Sequence, residues 1–132
     1  MRESGMIREI REDERKMTYD EVVSMAEETG FPVAYHHFNE GDSPDPPFLI
    51  FLFPRSNNFV ADGKVYRKID ELHFELYTEK KQPDSEETVE AVLDGHGIVY
   101  DKTEVWIADE QLYEVLYTME VINDVWNTEE QN

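Results

Sequence analysis

Histidines are the side chains of this sequence best suited to metal binding or acid–base chemistry, and His36 and His37 are adjacent. The segment 33–38 around them is predicted to be a strand. Neighbouring residues of a strand point to opposite faces, so the pair is not expected to share one metal unless the backbone bulges.

A second candidate is the segment Asp94-Gly-His-Gly97, in which a carboxylate and an imidazole stand two residues apart between glycines. This pattern is typical of the end of a helix, where a histidine complements the negative terminus. A small metal-dependent hydrolase that uses His36, His37 or His96 with nearby acids remains an alternative hypothesis.

Carboxylates are abundant, which makes any single pair of them uninformative. Glu40, Asp42 and Asp45 share a loop with three prolines, but their spacing matches no EF-hand calcium loop. The sequence contains no nucleophile elbow, phosphate-binding loop, zinc-protease or dinucleotide motif. We therefore expect no catalytic residues, no bound metal, no cofactor and no enzyme activity.

The charge balance restricts the partners. The chain has 31 acidic and 12 basic residues, a formal net charge of −19. Such a chain is expected to be repelled by nucleic acid and by anionic membranes, and to favour basic or locally positive partners. Hydrophobic residues make up 39% and aromatic residues 12% of the chain, enough to build a folded core.

No cysteine is present, so disulfides are excluded. No apolar run is long enough to span a membrane, and the first residues lack the apolar core of a secretory signal. These features predict a protein that begins in a cytoplasm.

The first half of the chain predicts a helix and two strands before a reversal. A helix over 19–29 is favoured by the capping box of Thr18 and Glu21. The apolar run 48–53 predicts a strand that is buried on both faces and ends at Pro54. Asp62-Gly63 predicts a tight reversal, which leads into one long strand over 65–78.

The second half predicts a helix over 85–94, with a capping box of Asp84 and Glu87. Short strands are predicted over 98–100 and 104–107, with a bend between them, and a last strand over 112–121. The order α-β-β-β-α-β-β predicts an α+β fold: a mainly antiparallel sheet of four to six strands with two helices on one face.

Three parts are distinguished along the chain. Residues 1–16 form a charged extension, either a frayed arm or a short amphipathic helix, and 17–121 form a single domain. Residues 122–132 form a polar tail. The acidic and basic residues just before Met17 leave open whether the natural start is Met1 or Met17.

Surface for a partner is predicted in the 55–64 hairpin and on the last strand. Long loops on a compact scaffold often carry contacts. The candidate subunit contacts are Asn57, Asn58, Phe59, Asp62, Lys64, Tyr113 and Tyr117.

Several stretches of the chain resemble a family of small proteins from phages and prophages of Gram-positive bacteria. They include Met17-Thr-Tyr-Asp-Glu-Val22, the segment from Thr29 to Phe38 and the segment from Pro47 to Lys64. Residues 72–81, 87–93 and 111–117 continue the similarity, which covers about 17–121. The element order resembles that of the tail-terminator, or tail-completion, proteins of long-tailed phages.

The resemblance implies a structural role. A terminator forms a ring, usually of six copies, that caps the tail tube and joins it to the head connector. It implies a homo-oligomer with tail or connector proteins as partners, located in the host cytoplasm during assembly and then in the virion tail. Two alternatives remain: another minor tail or head–tail joining subunit, and an acidic module that sequesters a basic partner as a nucleic-acid mimic.

Overall fold

The computed structural model describes residues 16–123. The predicted charged extension and polar tail lie outside the described residues, apart from Lys16, Ile122 and Asn123. The elements, in chain order, are β1 (Lys16–Met17), α1 (Tyr19–Glu27), β2 (Val33–Tyr35), β3 (Phe48–Ser56), β4 (Phe59–Ala61), β5 (Lys64–Arg67), β6 (Ile69–Thr78), α2 (Pro83–Gly95), β7 (Tyr100–Ile107) and β8 (Leu112–Asn123).

Six strands form one sheet in the order β1-β8-β6-β3-β2, and β7 pairs with β8 on the same side as β1. The pairs β3–β6, β6–β8 and β8–β7 are antiparallel. β2 runs parallel to β3, and β1 runs parallel to β8. The α+β class is confirmed. The sheet was predicted to be mainly antiparallel and is mixed, because the segments on either side of α1 each add a parallel strand.

Both helices contribute to one core on one face of the sheet. The predicted alternation of β6 is confirmed, since Leu72, Phe74 and Leu76 are buried. They cluster with β8 and with apolar residues of both helices: Val22, Met25, Ala26, Val89, Leu93, Val115, Tyr117, Met119 and Val121. Helix periodicity and strand alternation therefore converge on a single apolar layer.

The start of α1 follows the sequence prediction. The Thr18 hydroxyl accepts a hydrogen bond from the Glu21 N–H at 3.1 Å, and the Glu21 carboxylate accepts one from the Thr18 N–H at 2.9 Å. This reciprocal pair satisfies two backbone donors at the helix start. The helix ends at Glu27, two residues earlier than predicted, and Gly30 has a φ of +82° in the turn that follows.

The capping box predicted for α2 does not form. Its N-cap is Gln82, which makes no side-chain capping bond, and Pro83 occupies the first turn. Proline suits this position because its missing N–H would lack a helical partner there. The helix therefore begins two residues earlier than predicted.

Several strand boundaries were wrong, and β8 for example extends to Asn123 rather than ending at 121. β2 ends at Tyr35, because His36 takes a φ of +69° and leaves the strand. β3 continues past Pro54 to Ser56, since the register shifts between Leu52 and Arg55 and a bulge accommodates a residue with no N–H.

The predicted strand 65–78 is divided into β5 and β6, and among the described strands β5 pairs only with β4. The two short strands predicted near residues 98–107 are one strand, β7, which starts at Tyr100. Pairing with β8 along its whole length keeps it continuous. None of the helices in the described part of the chain is long and apolar enough to cross a membrane.

Candidate functional site

The paired histidines lie closer together than the sequence predicted. Because His36 has left the strand geometry, its Nδ1 atom lies 3.0 Å from the Nδ1 atom of His37. One ring can donate this hydrogen bond to the other. The premise that the two rings point apart was therefore wrong, although both are exposed and no third ligand joins them within residues 16–123.

The other histidines contact separate carboxylates. His96 is the C-cap of α2, and its Nε2 atom lies 3.0 Å from Glu28, so it links the ends of the two helices. His73 Nε2 lies 2.7 Å from Glu71 on the sheet. Across the described residues, no group of three or more histidines and acids could hold a metal ion.

The β4–β5 hairpin is a separate two-stranded sheet whose base is tied to the main sheet. Asn57 donates to Glu71 at 3.2 Å and to Glu120 at 3.0 Å. Asn58 accepts a hydrogen bond from the Ile69 N–H at 3.0 Å. The two asparagines predicted as subunit contacts therefore hold the arm in place.

The rest of the hairpin carries apolar surface. Asp62 and Gly63 have φ values of 54° and 73°, as a tight two-residue turn requires. Phe59, Val60 and Val65 are 52%, 56% and 45% exposed. An arm with a fixed base and exposed apolar side chains is suited to contact another subunit.

The predicted contacts Tyr113 and Tyr117 lie on the face covered by the helices. Tyr117 is fully buried, and its hydroxyl donates to the Glu90 carboxylate at 2.8 Å. Tyr113 packs partly against the core and donates to Glu104 at 2.9 Å. Tyr117 therefore offers no side-chain surface for a subunit contact, because its face of β8 is the one that the helices cover.

The opposite face of the sheet, which we call the outer face, combines apolar and acidic residues. One cross-strand row runs from Phe48 through Tyr77 and Glu114 to Val105. Phe48 stacks on Tyr77 at a ring separation of 5.2 Å, and Phe38 from the β2–β3 loop covers Phe48. This corner of the outer face is therefore closed by the loop.

Carboxylates lie within this row and beside it. Tyr77 donates to Glu75 at 2.9 Å and lies 3.4 Å from Glu114. Burial, followed by repulsion from Glu75, raises the pKa of Glu114. Burial beside these carboxylates also raises the pKa of Tyr77, which remains a neutral donor.

A second acidic group lies further along the outer face. Hydrogen bonds from His73 and then Asn57 lower the pKa of Glu71. With Asp101 and Glu120, Glu71 lines an open concavity of about 430 Å³ beside Tyr100. All three acids belong to strands, so the surface is built into the sheet rather than into a loop.

The edge strand β7 is the surface that sequence reasoning missed. Val105 and Trp106 are 53% and 44% exposed on opposite faces of it, and Val99 just before it is 73% exposed. The exposed apolar residues were visible in the sequence, but the predicted bend inside 98–107 concealed one continuous edge.

Comparisons with known proteins add no identification. No protein-family model matches the chain. No curated protein matches it in sequence. The resemblance to phage tail proteins therefore rests on the stretches quoted for it alone.

Proposed function

We propose that this chain is a non-catalytic structural subunit of the tail of a long-tailed phage, a tail terminator that forms a ring on the end of the tail tube. The observation that supports this function best is the β4–β5 arm. Its base is tied to the sheet through Asn57 and Asn58, and its strands expose Phe59 and Val60. A rigidly based apolar arm is the kind of element that a ring needs between neighbours or against the tube.

A ring requires two different complementary patches on each subunit, because its contacts are heterologous. The arm is one such patch. The acceptor is a surface of the next copy or of the tube, where Phe59 and Val60 would lose contact with water. Burying such side chains contributes about 1.5–3 kcal/mol each when fully exposed side chains become fully buried.

The acidic outer face fits the same role. DNA must pass a terminator without adhering to it, and like charges provide that repulsion. The concavity acids Glu71, Asp101 and Glu120 belong to the outer face. We therefore expect this face to line or border the channel of the ring.

Deletion of the gene from the genome that carries it tests the proposal. Without a terminator, tubes should grow past their normal length and remain unattached to heads, as seen by electron microscopy of particles. The wild-type chain should restore normal tails, and so should the control Ala91→Asp on the exposed side of α2. A Phe59→Asp/Val60→Asp double variant should fail to restore them.

Two outcomes separate the alternatives. Tubes of normal length that lack heads would favour another head–tail joining subunit. Normal, fully joined tails after deletion would refute a tail role of either kind.

The second candidate is an acidic module that sequesters a basic partner. The carboxylates of the outer face favour it, because several of them share one surface. It predicts tight capture of a cationic protein that weakens steeply with salt. Replacement of Asp101 and Glu120 by Asn and Gln should abolish the capture but leave tail length unchanged.

A further inference from the structure

The outer side of β7 is a long sheet edge. The strand has eight residues, and within residues 16–123 it pairs only with β8. Six of the eight are exposed. Alternate N–H and C=O groups on the other side of such a strand can pair with an added strand, which makes an edge of this length a template for association.

The side chains of this edge have an approximate two-fold pattern around Thr103. The sequence from Val99 to Ile107 is Val-Tyr-Asp-Lys-Thr-Glu-Val-Trp-Ile. If a second copy runs antiparallel and Thr103 faces Thr103 of that copy, every residue faces the one at the mirrored position. Lys102 then faces Glu104, Tyr100 faces Trp106 and Val99 faces Ile107.

These pairs are the types that stabilise antiparallel sheets. Opposite charges, aromatic pairs and apolar pairs directly across two strands each contribute favourably. Because of the symmetry, each pair occurs twice in the dimer. The one mismatch is Asp101 opposite Val105, and both of these are exposed on the outer face.

Neighbouring registers are disfavoured by charge. A two-fold axis perpendicular to the sheet keeps the helices of both copies on the same side of the sheet. Directly opposed residues then point to the same face, whereas neighbours along a strand point to opposite faces. One residue must therefore lie opposite its own copy at the axis. An axis at Lys102 would place the two copies of Lys102 opposite each other, and an axis at Glu104 would do the same with the two copies of Glu104. Like charges directly opposite each other are destabilising, so the axis at Thr103 is favoured.

The internal contacts of the edge leave capacity for this pairing. The Lys102 ammonium has three donors, and two of them reach Glu86 at 2.9 Å and Glu90 at 2.7 Å. The Glu104 carboxylate accepts from Lys81 at 2.7 Å and from Tyr113 at 2.9 Å, and each oxygen can accept a further bond. The charged pairs therefore add to the internal network without breaking it.

We propose that two copies of the chain pair through β7 as antiparallel strands across a two-fold axis at Thr103. The contact is isologous and closes at two copies, so it goes beyond the ring proposed above. In this dimer of the free chain, the eight-residue edge of β7 is covered by the second copy.

A disulfide tests the register directly, because the chain has no cysteine of its own. In Thr103→Cys the two opposed Cα atoms would lie about 4.5–5.5 Å apart, within disulfide range. The matched control is Val105→Cys, on the same strand and face and also exposed. The two introduced cysteines would lie four residues apart, roughly 14 Å along the paired strands. A disulfide cannot bridge that distance.

Under mild oxidation the purified full-length Thr103→Cys chain should form a covalent dimer, and Val105→Cys should remain monomeric on non-reducing gels. Equal cross-linking of both variants would overturn the register. Absence of cross-linking in both would overturn the pairing itself.

A charge test reads the same contact without a covalent bond. Thr103→Lys opposes two lysines at the axis and should raise the dimer dissociation constant by up to about fivefold. Val105→Lys places its ammonium opposite Asp101 and should leave that constant unchanged or lower it. The measurement is sedimentation velocity of the full chain at about 0.15 M salt, which screens the repulsion between two acidic copies.

An unmodified chain that stays monomeric at every concentration would refute the proposal, as would equal weakening by both lysine variants. Both tests use the purified chain without tail components, so their outcomes are independent of the tail function.

Discussion

Replacing the buried carboxylate of Glu86 should destabilise the fold measurably. This side chain is 4% exposed, yet it receives two cations. Lys81 Nζ lies 2.8 Å from it and Lys102 Nζ 2.9 Å from it. The two lysines come from the loop before α2 and from β7, so one carboxylate joins three parts of the fold.

The magnitude follows from what Glu86→Gln keeps and loses. The amide has the same shape and one acceptor oxygen, but its NH₂ group would face an ammonium. Loss of charge-assisted bonds to a buried group costs about 1.5–3 kcal/mol. The larger cost of about 3–5 kcal/mol for an orphaned buried charge does not apply. Lys81 and Lys102 are 43% and 36% exposed and retain Glu104 and Glu90.

We therefore expect a loss of about 2 kcal/mol in the free energy of unfolding. For a chain of this size that lowers the melting temperature by roughly 5–10 °C. Urea and thermal unfolding of the purified protein at pH 7 measure both quantities. The matched control is Glu87→Gln, one residue along the same helix and exposed, with an expected change within about 0.5 kcal/mol.

Equal stability of Glu86→Gln and Glu87→Gln would contradict a stabilising role for the buried carboxylate. That result would mean that the cost of desolvating the carboxylate cancels the stability gained from the two lysine contacts. Some buried ion pairs behave in this way.

Three further predictions concern the helix cap, the core and the outer face. Thr18→Ala should cost about 1 kcal/mol in unfolding experiments, because α1 loses its capping bond; no change in stability would mean that another group caps the helix. Leu76→Ala should cost about 2–5 kcal/mol, since its side chain is fully buried, whereas Val99→Ala, 73% exposed, should leave the midpoint nearly unchanged. Glu114→Gln should stabilise the protein at pH 7. Burial raises the pKa of Glu114 in the folded state, so the ionised carboxylate opposes folding. This penalty appears as the pH rises through the pKa of the unfolded state and then that of the folded state. The stability difference between Glu114→Gln and wild type should therefore grow between pH 4 and pH 7, and a constant difference would contradict the burial of this group.

The carboxylates of the outer face also anchor the β4–β5 arm. These carboxylates lie on β6, β7 and β8, whose pairing fixes their spacing. The β4–β5 arm is tied to the same face through Asn57, which bonds Glu71 and Glu120. The hydrogen bonds from His73 and then Asn57 lower the pKa of Glu71, so protonation of Glu71 would weaken the anchor of the arm.

Local patterns in the sequence were sufficient to predict several features. The Thr18–Glu21 capping box, the alternation of Leu72, Phe74 and Leu76, and the turn at Asp62-Gly63 each depend on residues within a few positions of one another. Short-range sterics and hydrogen bonding decide these features, so composition and spacing contain the required information.

Tertiary structure alone decided which strands lie at the edges and which side chains are covered. The parallel additions of β1 and β2, the bulge that admits Pro54 and the unbroken β7 all result from pairing with strands distant in sequence. Tyr117 was predicted at a contact and lies in the core, because the face of β8 that the helices cover is set by long-range packing. The sequence alone determined the period and polarity of each element, whereas the register between elements depends on contacts that no local pattern encodes.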